Sequence, residues 1–197
     1  MKNKVFFSKN PWGKTYRPHL EIYFISKNGI ELKRIGLMDT GADRSLVQYS
    51  LGKELGFNAS PEEMRQKPMT RGVAGALNSL DKEIEIIIKH HHSGNIHKIK
   101  TSIAWIIPTE QEFKAMNSLL AEIETLRATV QTNPRDEKLK ELLHEKYNKY
   151  AEVNNRLEEP GVLIGREFMT NFGYLTFVHE RDNSKSYFEY ELRSKLL

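Results

Sequence analysis

Between Ile35 and Met38 the chain is apolar except for Gly36, and it then breaks into Asp39-Thr40-Gly41-Ala42-Asp43. An apolar run of this kind fits a buried strand, and a strand ending in Asp-Thr-Gly delivers a carboxylate into a tight turn. Gly41 lets the backbone turn sharply and lie close to whatever faces it. Thr40 offers a hydroxyl that can lock the loop by hydrogen bonding. Ser45-Leu46-Val47 then resumes a strand-like pattern. The pattern is that of a β protein presenting one acid at a strand end, and taken alone it also fits a plain surface turn after a strand.

Two later stretches bear on that choice. Pro160-Gly161-Val162-Leu163-Ile164-Gly165-Arg166-Glu167-Phe168-Met169 is an apolar strand running into Gly-Arg and then a short helix. Thr70-Arg71-Gly72-Val73-Ala74-Gly75-Ala76 is a glycine-rich segment between the two landmarks. In that order the three stretches resemble the active-site loop, the flap tip and the Gly-Arg landmark of the retropepsins, the aspartic proteases of retroviruses and their cellular relatives. The resemblance covers nearly the whole chain apart from one insertion.

The resemblance implies a mainly β fold, a retropepsin-like acid-protease barrel protomer carrying an inserted antiparallel α-helical hairpin. Residues 1–108 and 160–197 would form the protease domain and 109–159 the hairpin. Aspartic proteases are the established case of two carboxylates sharing one proton, because two like charges in near contact cannot both ionise. Asp39 would supply one of these, acting with a second Asp39 as general acid and base on the attacking water. Thr40, Gly41, Ala42 and Asp43 would form the active-site loop. Gly72, Val73, Ala74 and Gly75 would form the flap over a polypeptide substrate, and Arg166 would pair with Asp43 beside the cleft. Asp43, Asp81, Asp136 and Asp182 are not followed by Thr-Gly or Ser-Gly, so one chain holds one half-site and a homodimer is implied. Retropepsins also knit their subunits together through terminal strands, a role open here to residues 5–7 and the last strands of the chain.

Composition narrows the alternatives. There is no cysteine, which removes disulfides, thiol nucleophiles and thiolate metal sites. The net charge of +4 comes from interspersed charges with no aromatic residues set among a basic cluster, so nucleic-acid binding is not expected. No apolar run suits a signal peptide in residues 1–17 or a membrane span elsewhere, and the expected compartment is the cytoplasm. Gly13-Lys14-Thr15 is not a phosphate loop, because Ser8 stands where that motif needs glycine. His90, His91, His92 and His97 have no nearby carboxylate to complete a ligand set and read as a polar hairpin end. No metal and no cofactor is expected.

Strands are expected over residues 5–7, 20–25, 30–38, 80–89, 96–107, 173–178 and 187–190, with Asn28-Gly29 as a two-residue hairpin turn. Ser50 to Gly56 reads as a short helix capped at both ends. From Thr109 to Glu159 the character changes. Thr109 and Glu112 suggest a capping box. Phe113, Met116, Leu120, Ile123, Leu126 and Val130 then recur at helical spacing. Asn133-Pro134 should cap and restart the pattern, and Leu139, Leu142, Leu143, Tyr147, Tyr150, Val153 and Leu157 give a second stripe. Such a hairpin would pack on itself, bind a partner, or stand beside the substrate cleft. Two rival functions follow: a non-catalytic peptide-binding module on the same fold, or an interaction protein whose working part is the hairpin.

Overall fold

The computed structural model describes residues 2–9, 15–65, 70–72, 75–89, 94–159 and 161–193. Twelve strands are present among them: β1 Asn3–Phe6, β2 Ser8–Lys9, β3 Tyr16–Arg17, β4 His19–Ile25, β5 Glu31–Met38, β6 Leu46–Val47, β7 Thr70–Gly72, β8 Gly75–Lys89, β9 Ile96–Ile107, β10 Val162–Ile164, β11 Phe172–Val178 and β12 Tyr187–Leu192. Five helices accompany them: α1 Tyr49–Glu54, α2 Pro61–Met64, α3 Glu110–Thr132, α4 Glu137–Glu158 and α5 Arg166–Met169.

Alternation drives the sheet. Along β4, Leu20, Ile22 and Phe24 point inward and are buried, while their neighbours are only partly covered. The neighbouring strands run β4-β5-β10-β6-β9-β8, and β8 returns to β4 through Tyr23 opposite Ile87 and Phe24 opposite Ile86. That return closes a six-stranded barrel, which removes the free sheet edges. Ile86, Ile87 and Ile88 are all buried, so this part of β8 is covered on both faces. Strand β7 extends the sheet as a ribbon on β8, with Gly72 opposite Gly75. A separate three-stranded sheet, ordered β1-β12-β11, places Phe188, Tyr190 and Leu192 in the main core. There the rings of Phe168, Phe172 and Tyr190 meet edge to face.

The architecture is the mainly β barrel with an inserted helical hairpin that the sequence suggests. Helices α3 and α4, of 23 and 22 residues, would each be about 34 Å long. Thr109 and Glu112 do form a capping box. No helix among the described residues is long and apolar enough to cross a membrane.

Local details differ from expectation where tertiary partners intervene. The Asn28-Gly29 turn has three residues between Ser26 and Ile30 rather than two. Ser26 exchanges backbone bonds with Gly29 and Ile30, and Gly29 takes φ +75°. Ser50 is not a cap, for the helix starts at Tyr49 and Ser50 is engaged by Glu158. Asn133 ends α3 rather than starting α4, because its backbone and side-chain nitrogens both donate to Thr129 O. The cap of α4 is Asp136, whose carboxylate accepts from Leu139 N at 3.2 Å. Helix α2 escaped the sequence reading, although Ser60-Pro61-Glu62-Glu63 carries the capping-box signal and forms that box. His90, His91 and His92 lie outside the described residues, within which no group of three or more potential metal ligands occurs.

Candidate active site

Strand β5 runs antiparallel to β4 and parallel to β10, with Met38 opposite Ile164. Asp39 follows at once. Its backbone N–H donates to Ile164 O at 3.0 Å, which carries the parallel ladder one residue past the strand end. The Asp39 carboxylate accepts the Gly41 N–H at 2.9 Å, and Ala42 N donates back to Asp39 O at 3.3 Å. A side chain at Gly41 would crowd that carboxylate, since a Cβ there would stand 3.2 Å from Asp39 Oδ1. The turn therefore fixes the acid through the backbone. The Thr40 hydroxyl does not lock the loop within one protomer: Thr40 is exposed and makes no hydrogen bond among the described residues.

The loop is then clamped by the second landmark. Arg166 N donates to Ala42 O at 2.8 Å and Glu167 N to Asp43 O at 2.9 Å. Gly165 N donates to the buried Ser45 hydroxyl at 3.1 Å. Only glycine fits at 165, because a Cβ would lie 2.3 Å from the Arg44 carbonyl carbon and 2.8 Å from Ser45 N. Ser45 O in turn accepts from Ala104 N at 2.9 Å. These bonds make residues 39–45, 104 and 164–167 one fixed body, with Asp39 partly buried at its surface.

Ion pairs frame this body. The Arg166 guanidinium contacts the Asp43 carboxylate, their side chains 62% and 78% exposed. The Arg44 guanidinium contacts Asp81 on β8. Neither the Arg44–Asp81 pair nor the Ser45 bridge was legible in the sequence, since each joins residues far apart in the chain. The resemblance did draw attention to Asp43 and Arg166, which the structure brings together.

Of the expected flap residues, Gly72 and Gly75 face each other at the end of the β7–β8 ribbon. Val73 and Ala74 lie outside the described residues. An open cleft of about 710 Å³, lined by Glu83, Glu85, Lys100, Ser102, Glu167 and Thr170 among others, includes Glu167 of the clamping segment but no residue of the Asp39 loop.

No family model matches the chain, and a search of curated proteins finds no match. Among solved structures, a retropepsin-like aspartic protease from Rickettsia conorii is similar, with a TM-score of 0.44 and 11% sequence identity over 96% of this chain and 91% of that one.

Proposed function

We propose that the chain is an aspartic endopeptidase of the retropepsin type, active as a homodimer. The observation that carries this reading is Asp39 itself: a partly buried carboxylate at a strand end, oriented by the Gly41 N–H and held in a loop bonded at Asp39, Ala42, Asp43 and Ser45 to residues 164–167. Such a loop holds its acid still, as acid–base chemistry on a bound water requires. One chain has one Asp-Thr-Gly, so a second copy would supply the other carboxylate and the other cleft wall.

In the dimer the two Asp39 carboxylates share one proton. The ionised one takes a proton from water as its oxygen attacks the peptide carbonyl carbon, and the protonated one gives its proton to the carbonyl oxygen. Collapse of the tetrahedral intermediate breaks the C–N bond, with a proton passing to the leaving nitrogen. The β7–β8 ribbon covers the polypeptide and excludes water. Asp43 with Arg166 holds the rim of the cleft. No metal or cofactor takes part.

The test is cleavage of a peptide library at several acidic pH values, with and without pepstatin. Wild-type protein should cut, and Asp39→Asn, nearly isosteric but unable to act as the base, should not. Equal cleavage by both proteins would end this reading.

A further inference from the structure

Among the described residues the β7–β8 ribbon has three paired positions, Thr70 with Leu77, Arg71 with Ala76 and Gly72 with Gly75. A two-stranded ribbon this short is marginal unless something packs against it. Helices α3 and α4 contact the chain on either side of it.

On the entering side, Arg65 closes α2, the last helix before β7 in the chain. Its guanidinium grips the Glu110 carboxylate with two bonds, Nε to Oε2 at 2.6 Å and Nη2 to Oε1 at 3.2 Å. Glu110 is the first residue of α3. On the leaving side, Leu77 is buried in one apolar cluster with Met116 of α3 and Leu157 of α4, above Leu46, Ala104 and Ile106. The two sides are tied to each other as well, because the buried Asn78 amide donates to Met64 O at 3.3 Å.

The helical side of this contact is itself anchored to the barrel. Glu158, at the end of α4, accepts from Ser50 N at 2.9 Å and from Ser50 Oγ at 2.6 Å. Arg156 of α4 contacts Glu112 of α3, and Phe113 packs on the main core. The base of the helical pair is therefore a fixed wedge between the barrel and the ribbon. Self-packing of two helices does not require Leu77, Ile106 or Arg65, so these contacts point to a task beyond it.

We propose that the α3–α4 hairpin braces the β7–β8 ribbon, with Glu110 and Met116 as positioning residues that set how firmly the ribbon is held and so how tightly substrate is bound. The link to substrate rests on the peptidase reading above, whereas the brace does not.

Amide hydrogen exchange on the full chain separates the two. Arg65→Glu sets two like charges against each other at an exposed position, and exchange at residues 70–78 should accelerate by roughly two- to fivefold, the range set by the loss of one surface ion pair. Adding Glu110→Arg to that variant restores the pair with its signs reversed and should bring exchange back toward wild type. Met116→Ala, which empties the packing beneath Leu77, should accelerate the same amides further. Amides of β4 and β5 should not change in the charge variants. If residues 70–78 exchange at the wild-type rate in Arg65→Glu, or if β4 and β5 accelerate equally, the brace is refuted. With a cleaved peptide in hand, Arg65→Glu should raise KM with little change in kcat, and an unchanged KM would refute the link to substrate. A chain that cleaves nothing defeats the peptidase reading but leaves the exchange result standing.

Discussion

Replacing Gly165 by alanine probes the clamp on Asp39 more directly than any change to the acid itself. The added methyl would begin 2.3 Å from Arg44 C, 2.4 Å from Arg44 O and 2.8 Å from Ser45 N, all backbone atoms that cannot swing aside. Relief requires the 162–167 segment to move off the 39–45 loop. Overpacking of this kind costs about 1–3 kcal/mol. The shift also strains the bonds from Asp39 N to Ile164 O, Arg166 N to Ala42 O and Gly165 N to Ser45 Oγ, each worth about 1 kcal/mol net. A total of about 2–4 kcal/mol follows, and for a chain of this size that lowers the thermal midpoint by about 4–16 °C. Gly173→Ala is the control, since its methyl would meet nothing nearer than Arg193 Cγ at 3.4 Å, an ordinary van der Waals contact. Scanning calorimetry of the three proteins decides the matter. If Gly165→Ala melts within a degree or two of wild type, or no lower than Gly173→Ala, the 162–167 segment does not clamp the loop.

The remaining predictions concern charge. Hydrogen bonds from the Arg65 guanidinium, and next from the Lys114 ammonium, hold the Glu110 carboxyl down to about 2. Its contribution to stability is therefore complete above the ordinary glutamate value of 4.5 and is lost as pH falls from there through about 2. The gap in unfolding midpoint between wild type and Glu110→Gln should be present at pH 6 and gone near pH 2, and a gap that widens in acid would contradict the pairing. The Arg166–Asp43 pair is exposed, and surface pairs contribute about 0–1 kcal/mol. Arg166→Ala measured at low protein concentration should thus melt within about 4 °C of wild type, and a drop of tens of degrees would mean the pair is buried in what is being measured. Peptide cleavage should be bell-shaped in pH with its maximum on the acid side of neutral, because only a singly charged carboxylate pair is competent. A rate that climbs steadily toward alkaline pH would exclude that chemistry.

What the sequence discloses follows from how local each signal is. The alternation of Leu20, Ile22 and Phe24 and the run into Asp39 are local, and they give β4 and β5 without further information. The capping box at Thr109 and Glu112 is local too. The faces of α3 and α4 are less so. Leu120, Leu142 and Tyr147 fit the helical spacing and yet are exposed, whereas Met116, Ile123 and Leu157 are buried. At 100° per residue several overlapping stripes are possible, and the contact with Leu46, Leu77 and Ile106 selects one of them. The candidate site divides in the same way. Asp39, Gly41 and the Gly165-Arg166 turn carry their own pattern. Ser45 with Gly165, Arg44 with Asp81 and Ser50 with Glu158 do not, because each partner lies 37 to 120 residues away and no spacing rule connects them.

The central claim is that two Asp39 carboxylates, one from each of two chains, make one active site. Wild-type protein mixed with Asp39→Asn, unfolded and refolded together at constant total concentration well above the dimer dissociation constant, tests it. If heterodimers are inactive, peptide cleavage falls as the square of the wild-type fraction, to about a quarter at equal mixing, as expected for random pairing in a two-fold dimer. A linear fall, with half the activity left at equal mixing, would mean that a single Asp39 suffices and would contradict the account.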